Sequence, residues 1–199
     1  MSGSSAGLDP GGPSERSAVI VRAHLPAGLE RLRRRSVPNA AEGVPAHLTL
    51  LYPFVAPERL TRSVRSAIEA VVPRHAPFPY ALAGKAIWPD TVYVAVDPVA
   101  PFLALQEDLA RAFPDFPIYG EDATFEFVPH VTIAEGSAID DGAVLGARAW
   151  ASLPRPALAS SLEVIARAGA APWRTVWRIG LGGSGWADIR DRPLGRMPP

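Results

Sequence analysis

Two histidine–threonine pairs are the residues of this sequence best suited to chemistry. His47 and Thr49 stand two residues apart in one apolar, β-prone run, and His130 and Thr132 stand two residues apart in another. Residues i and i+2 of a strand project from the same face, so each run places an imidazole beside a hydroxyl group. An imidazole pKa of about 6.5 lets one histidine accept a proton while the other donates one at neutral pH.

Together the two pairs suit in-line displacement at phosphorus. One histidine can activate the nucleophile as a base, and the other can protonate the leaving oxygen as an acid. The threonine hydroxyls can donate hydrogen bonds to non-bridging oxygens as negative charge builds up on them. A cyclic phosphate or an RNA-type phosphodiester needs only this acid–base help, so the pattern predicts no metal ion. Nothing in the residues distinguishes the acid from the base.

Other interpretations of the histidines are weaker. A lone strand histidine is commonly a structural residue with a backbone partner, but two matched pairs disfavour that interpretation. A metal site is disfavoured because the sequence has neither cysteine nor an HxH or HExxH spacing. His24 and His75 lack a threonine partner and are predicted to be surface residues.

The composition excludes several classes of protein. A chain of 199 residues, 48 % of them hydrophobic, can bury one sizeable core. A formal net charge of zero argues against a protein that coats long nucleic acid. The absence of cysteine removes disulfides and thiolate chemistry. No signal peptide or apolar run of membrane length is found, so we expect a cytoplasmic protein without a membrane partner. We also expect a monomer.

Strands alternating with helices are predicted to position the two pairs. Apolar alternation and turn residues bound the strands, and Pro57 and Pro73 bound one helix whose apolar face has helical spacing. The predicted strands cover 18–25, 47–52, 78–88, 91–96, 125–134, 158–167 and 173–181. The other predicted helices cover 28–36, 101–113 and 140–153.

These elements repeat along the chain. His47 and His130 are 83 residues apart, and Pro89 and Pro172 occupy matching turns at the same offset. The repeat predicts one bilobal domain at 17–182, with lobes at 18–88 and 91–171 and a last strand at 173–181. A disordered lead (1–16) and a tail (183–199) would flank it. Two lobes related by a pseudo-twofold would bring the His–Thr pairs face to face.

The sequence resembles the 2H phosphoesterase superfamily, a group of two-histidine enzymes. That group includes bacterial and archaeal RNA 2′,3′-cyclic phosphodiesterases, historically called 2′-5′ RNA ligases. The likeness covers residues 18–182 and lies in the paired HxTx motifs, their separation, the lobe duplication and the run HLTLLYPF. It implies an α+β fold, namely a bilobal, duplicated ferredoxin-like fold of two antiparallel sheets with outer helices and a central cleft. It implies no cofactor.

The resemblance also implies roles for the paired residues. His47 would be the general acid, His130 the base that activates water, and Thr49 and Thr132 the residues that hold phosphate oxygens. The activity implied is metal-independent hydrolysis of a 2′,3′-cyclic phosphate to a 2′-phosphate, on an RNA 3′ end or a small nucleotide. Two alternatives stay open: a phosphodiesterase for another cyclic nucleotide or a 2′-5′ linkage, and a nucleotide-binding module without turnover.

One position departs from the pattern of that family. Many RNA phosphodiesterases carry a phosphate-binding arginine three residues after the second threonine, and this chain has Glu135 there. A replacement cation could come from Arg174 or Arg178 on the last strand, or from the run 33–35. Tyr119, in the loop before the second motif, is a further candidate to line the cleft.

Overall fold

The computed structural model describes residues 16–119, 126–140, 142–183 and 186–188, in which strands alternate with helices. The strands are β1 (Arg16–Arg22), β2 (His47–Leu51), β3 (Phe78–Trp88), β4 (Thr91–Asp97), β5 (His130–Glu135), β6 (Arg155–Ala159), β7 (Ser161–Arg167), β8 (Arg174–Gly180) and β9 (Trp186–Asp188). The helices are α1 (Ala27–Ser36), α2 (Pro38–Ala41), α3 (Arg62–Val71), α4 (Ala100–Ala112) and α5 (Gly142–Leu145). Short 3-10 turns occupy Pro57–Arg59, Val72–Arg74, Gly136–Asp140, Arg148–Ser152 and Leu181–Gly183.

The strands form two antiparallel sheets, which confirms the predicted α+β fold. The first sheet has the order β2-β1-β7-β8-β9, and the second has the order β5-β4-β3-β6. Each histidine motif therefore lies on an edge strand of its own sheet. The two edge strands, β2 and β5, contact each other, and α1 packs against β5.

The sheets do not follow the two lobes predicted from the repeat. β3 pairs with β4 through the tight turn after Trp88, with Trp88 opposite Thr91, so both strands lie in the second sheet. β7 returns to the first sheet and pairs with β1. Each sheet is thus assembled from distant parts of the chain, because a short antiparallel hairpin keeps β3 with its sequence neighbour.

Helices α3 and α4 confirm the predicted apolar spacing, but α3 begins later than predicted. Val64, Ile68 and Val71 are buried on one face of α3. Thr61 adopts extended backbone angles, and its side chain accepts a hydrogen bond from the backbone N–H of Val64, as an N-cap residue does. The residues from Pro57 to Arg59 therefore form a separate 3-10 turn instead of the first turn of the helix.

The prediction of one continuous strand over 158–167 is wrong, because this stretch contains parts of two strands. These are β6, which pairs with β3 in the second sheet, and β7, which pairs with β1 in the first. The chain crosses between the sheets at Ser160, which lies outside both strands. A continuous apolar run does not reveal this crossing, because both strands are rich in apolar residues.

Two further predicted elements are shorter in the structure. Of the strand predicted over 125–134, residue 125 lies outside the described residues, and the described part becomes a strand only at His130, because Pro129 has no N–H to donate to a neighbouring strand. The helix predicted over 140–153 breaks into α5 and a 3-10 turn. The break falls at Gly146, a residue type that weakens a helix interior by about 1 kcal/mol.

The predictions for the two ends of the chain also change. Residues 1–15 of the predicted lead lie outside the described residues, whereas Arg16 belongs to β1. The predicted tail contains β9, which pairs with β8. The rest of that tail, 184–185 and 189–199, lies outside the described residues.

Candidate active site

The first His–Thr pair projects from the face of β2 opposite the core. Leu48 and Leu50 are fully buried, whereas His47 and Thr49 are only half-buried. The Nδ1–H of His47 donates to the carbonyl of Pro45 at 2.7 Å. The neutral ring then accepts at Nε2, where the Thr49 hydroxyl lies 3.1 Å away. The backbone just before the strand thus fixes the orientation of the imidazole.

The second pair repeats this arrangement on β5. The Nδ1–H of His130 donates to the carbonyl of Val128 at 2.8 Å, which again is the residue two positions earlier. The ring also packs edge-on against Trp88 and Tyr93, with ring centroids 4.7 and 5.3 Å apart. Thr132 lies opposite Tyr93 in the register of β5 and β4. In both motifs Nε2 is the nitrogen left for proton transfer.

One cleft brings the two pairs together where β2 meets β5. A cavity of about 210 Å³ contains His47 and Thr49, and an adjoining cavity of about 660 Å³ contains His130. Thr132, Tyr119 and Glu135 line both cavities, which are therefore two parts of one cleft.

The electrostatics of the cleft favour neutral imidazoles. Burial lowers the pKa of His47 to about 4; the hydrogen bond to Pro45 opposes this shift, whereas the charges of Arg33, His130 and Arg22 add to it. Burial also lowers the pKa of His130, against the hydrogen bond to Val128. A bound anion would oppose these effects, because a nearby negative charge stabilises the protonated ring.

Comparison with known families decides which group of proteins this fold and site belong to. The family model described as the 2′-5′ RNA ligase superfamily matches residues 21–170 of the sequence. The chain belongs to that superfamily. This places it among the 2H phosphoesterases.

Two solved structures are similar to this 2′-5′ RNA ligase superfamily member at low identity. Escherichia coli LigT complexed with 3′-AMP is 15 % identical, the match covers 84 % of this chain and 98 % of that one, and the TM-score is 0.49. TT0787 of Thermus thermophilus is 18 % identical, with 85 % and 100 % covered and a TM-score of 0.47. No curated protein matches the sequence significantly.

The two candidate cations on the last predicted strand do not line either cavity. They are Arg174 and Arg178. Arg174 is exposed at the start of β8. Arg178 donates to the Glu163 carboxylate through both Nε and Nη2, at 3.0 and 2.8 Å. Arg33 is the arginine that lines the described part of the cleft, beside His47. The spacing of the sequence could have indicated this, because Arg33 falls at helical spacing with the other buried residues of α1. The buried residues of α1 are Leu29, Leu32, Arg33 and Ser36.

Tyr119 lines both cavities. Burial raises the pKa of its hydroxyl, and a hydrogen bond with the side chain of Thr49 opposes that shift. Its backbone N–H donates to the carbonyl of Tyr52 at 2.6 Å, which fixes the loop against the end of β2. Tyr119 thus contacts the first His–Thr pair from the side of the second.

Sequence reasoning missed two tryptophans of the site. Trp88 lines the larger cavity and contacts His130; the alternation of β3 and the turn that follows could have placed it on that face. Trp173 lines the smaller cavity, and its buried indole Nε1 has no hydrogen-bond partner among the described residues. No local pattern indicates Trp173, because it lies in the loop before β8.

The remaining histidines lie away from the cleft cavities. His24 is exposed, as predicted. The prediction for His75 is wrong, because its side chain is 11 % exposed and its Nε2 lies 2.9 Å from Asp108 on α4. Within the described ranges, no three histidine, cysteine or acidic side chains cluster as metal ligands would. None of the helices in those ranges has the length and hydrophobicity of a membrane span.

Proposed function

We propose that this protein hydrolyses a 2′,3′-cyclic phosphate, on an RNA 3′ end or a small nucleotide, to a 2′-phosphate. The observation that carries the proposal is the matched orientation of two imidazoles in one cleft. Each holds its Nδ1–H on the carbonyl two residues earlier and keeps Nε2 for proton transfer. Paired proton transfer is the help that this reaction needs, because both the attacking water and the leaving oxygen exchange a proton.

The proposed step can be written with its atoms balanced. Nε2 of His130 accepts a proton from water as the water oxygen bonds to phosphorus. The bond from phosphorus to the 3′ oxygen breaks, and protonated Nε2 of His47 donates its proton to that oxygen. The hydroxyls of Thr49 and Thr132 donate hydrogen bonds to the non-bridging oxygens, where charge develops. The product is a 2′-phosphate monoester with a free 3′-hydroxyl.

The acid role requires a change in the ionisation of His47 on binding. The imidazole is neutral at pH 7 in the free cleft, since its pKa is about 4. The negative charge of a phosphate beside Nε2 stabilises the imidazolium and raises this pKa. The substrate itself thus brings the acid into its active form.

The test is hydrolysis in the presence of EDTA. The purified protein is incubated with an oligonucleotide that ends in a 2′,3′-cyclic phosphate and with the four 2′,3′-cyclic mononucleotides, and products are separated by ion-exchange chromatography. We expect the 2′-phosphate and no 3′-phosphate. The proposal fails if none of these substrates turns over, or if turnover persists when both His47 and His130 are replaced by alanine.

A second candidate reaction is cleavage of a 2′-5′ phosphodiester linkage. The larger cavity, about 660 Å³ beside His130 and lined by Trp88 and Tyr119, has room for a group far larger than water. A second nucleoside could occupy it with its base against an aromatic ring. Incubation with 2′-5′-linked diadenylate separates the two candidates: a higher kcat/KM for this linkage than for any cyclic phosphate would favour the second.

A further inference from the structure

Arg33 is a buried cation beside the two motifs. Its side chain is 4 % exposed, yet it lines the smaller cavity together with His47 and Thr49. Its Nη2 donates to the carbonyl of Val44, in the loop that leads to β2. Its Nε lies 3.8 Å from the Glu30 carboxylate. A guanidinium carries five N–H donors, and Nη1 has no hydrogen-bond partner among the described residues, so it can bind an anion in the cleft.

Glu135 places a carboxylate next to this cation. It ends β5 and lines both cavities, and the packing of α1 on β5 brings its negative charge near Arg33. Burial and the charge of Asp90 raise the pKa of Glu135, whereas the charge of Arg33 lowers it. The two side chains are thus electrostatically coupled in the same part of the cleft.

The charges of Arg33 and Glu135 cancel, and Asp90 and Glu126 add two further carboxylates to the lining of the larger cavity. This excess of negative side chains discriminates between phosphate esters. A diester carries one negative charge, whereas a monoester carries nearly two at pH 7.5, because its second pKa is about 6. The second charge has no further cation to meet among the described lining residues, is repelled by the carboxylates, and must still lose its hydration on entering the cleft. An arginine at position 135 would remove this excess of negative side chains.

On the basis of the proposed function, we propose that Arg33 is the phosphate-binding cation of this cleft, and that Glu135 makes the cleft select monoanionic diesters over dianionic monoesters. The product of the proposed ring opening is a monoester. Glu135 would therefore repel the product more than the substrate and limit product inhibition.

The test is a comparison of two ligands that differ by one charge. 3′-Deoxyadenosine 2′-phosphate and its methyl ester lack the 3′-hydroxyl, so neither can cyclise. Their dissociation constants are measured by titration calorimetry at pH 7.5. We expect the wild-type protein to bind the methyl ester about tenfold more tightly than the monoester. In Glu135→Gln that preference should shrink several-fold, mainly through tighter binding of the monoester, because Asp90 and Glu126 remain.

Arg33 is tested by the same titrations. Arg33→Gln should weaken both ligands by about 10- to 100-fold, and Arg33→Lys should recover part of the loss because it keeps the charge. The matched control is Arg35→Gln, an exposed arginine of the same helix, which should change neither constant. If Arg33→Gln does not fold, Arg33→Lys tests Arg33 instead: it keeps the charge but not the planar donor geometry, and unchanged binding of both ligands would count against a specific role of the guanidinium. Glu135→Gln still tests the charge selection, since Glu135 takes no part in the hydrogen bond from Arg33 to Val44.

The outcomes separate this inference from the proposed function. Equal binding of the two ligands by the wild-type protein, or an unchanged preference in Glu135→Gln, would overturn the charge selection. Unchanged binding in a folded Arg33→Gln would overturn the role of Arg33. If the charge preference is found but no cyclic phosphate is hydrolysed, the selection stands and the proposed reaction fails.

Discussion

Arg22 lies directly opposite His47 across the antiparallel pair of β1 and β2, and the carboxylate of Glu163 holds its guanidinium at 2.7 Å. The same carboxylate binds Arg178 at 2.8 Å and accepts a hydrogen bond from Thr175 at 2.9 Å. Glu163 is almost fully buried, whereas both arginines are partly exposed. The position of a cation next to the first catalytic candidate therefore depends on one buried carboxylate.

Replacement of Glu163 by glutamine should destabilise the fold. Burial raises the pKa of this carboxyl, but the hydrogen bonds from Arg22, Arg178 and Thr175 outweigh burial and lower it to about 2. Removing the charge leaves two cations without their partner, and we expect a loss of about 2–3 kcal/mol in the free energy of unfolding at pH 7. Urea denaturation followed by tryptophan fluorescence measures this loss.

The pH dependence of that loss has a defined sign. Because the folded-state pKa of Glu163 lies below its unfolded value, the carboxylate stabilises the fold above about pH 4.5, and this contribution fades as the pH falls toward 2. The difference between wild type and Glu163→Gln should shrink over the same range. Glu107→Gln, which breaks an exposed pair with Arg111, is the control and should change stability by less than about 0.5 kcal/mol. Equal losses in the two variants would contradict the role given to Glu163.

The pH optimum of kcat/KM should be acidic. This parameter reports the free enzyme, in which burial lowers the pKa of His47 to about 4 and lowers that of His130 as well. We expect its optimum below pH 6. The pH optimum of kcat should lie at least about one pH unit higher, because the bound phosphate raises the pKa of both histidines. Initial rates from pH 4 to 9 measure both profiles, and an optimum of kcat/KM at or above pH 7 would count against the assigned ionisation.

The two histidines should act as one unit. His47→Ala removes the proton donor and His130→Ala removes the proton acceptor, so each single variant should lower kcat by about 10²- to 10⁴-fold. The double variant should lose little more kcat than the less active single variant, because one histidine alone accelerates the reaction little when proton donation and acceptance are coupled. Single-turnover rates test this, with His24→Ala as the control. Losses that multiply in the double variant would show that the histidines act independently.

The hydroxyl group of Thr49 should contribute more to kcat than the size and shape of its side chain. It contacts Nε2 of His47 and bonds to Tyr119, and in the proposed reaction it also donates to the phosphate. Thr49→Val keeps the volume but removes these bonds, and we expect kcat to fall by about 10²-fold. Thr49→Ser keeps the hydroxyl and should retain most of the rate. Equal losses in the two variants would point to packing as the reason for threonine here.

Local patterns were sufficient for the elements that form within one short stretch. The hairpin of β3 and β4 could be predicted because its strands alternate around a Pro-Asp turn, and the placement of each histidine beside its threonine follows from strand geometry. The crossing at Ser160 could not be predicted, since the partners of β6 and β7 lie far away in the chain. Arg33 was one of three adjacent arginines, and only the helical burial pattern of α1 separates it from its exposed neighbours.

The order of the strands along the chain determines which of the two sheets can form first during synthesis. Arg22 and Glu163 are 141 residues apart in the chain, and the strand of Glu163 is the central strand of the first sheet. During synthesis β1 and β2 emerge early, but β1 lacks its second neighbour until the C-terminal part of the chain has left the ribosome. The second sheet, whose strands lie between residues 78 and 159, is complete before that. The sheet that carries His130 can thus complete its strand pairings before the sheet that carries His47 does.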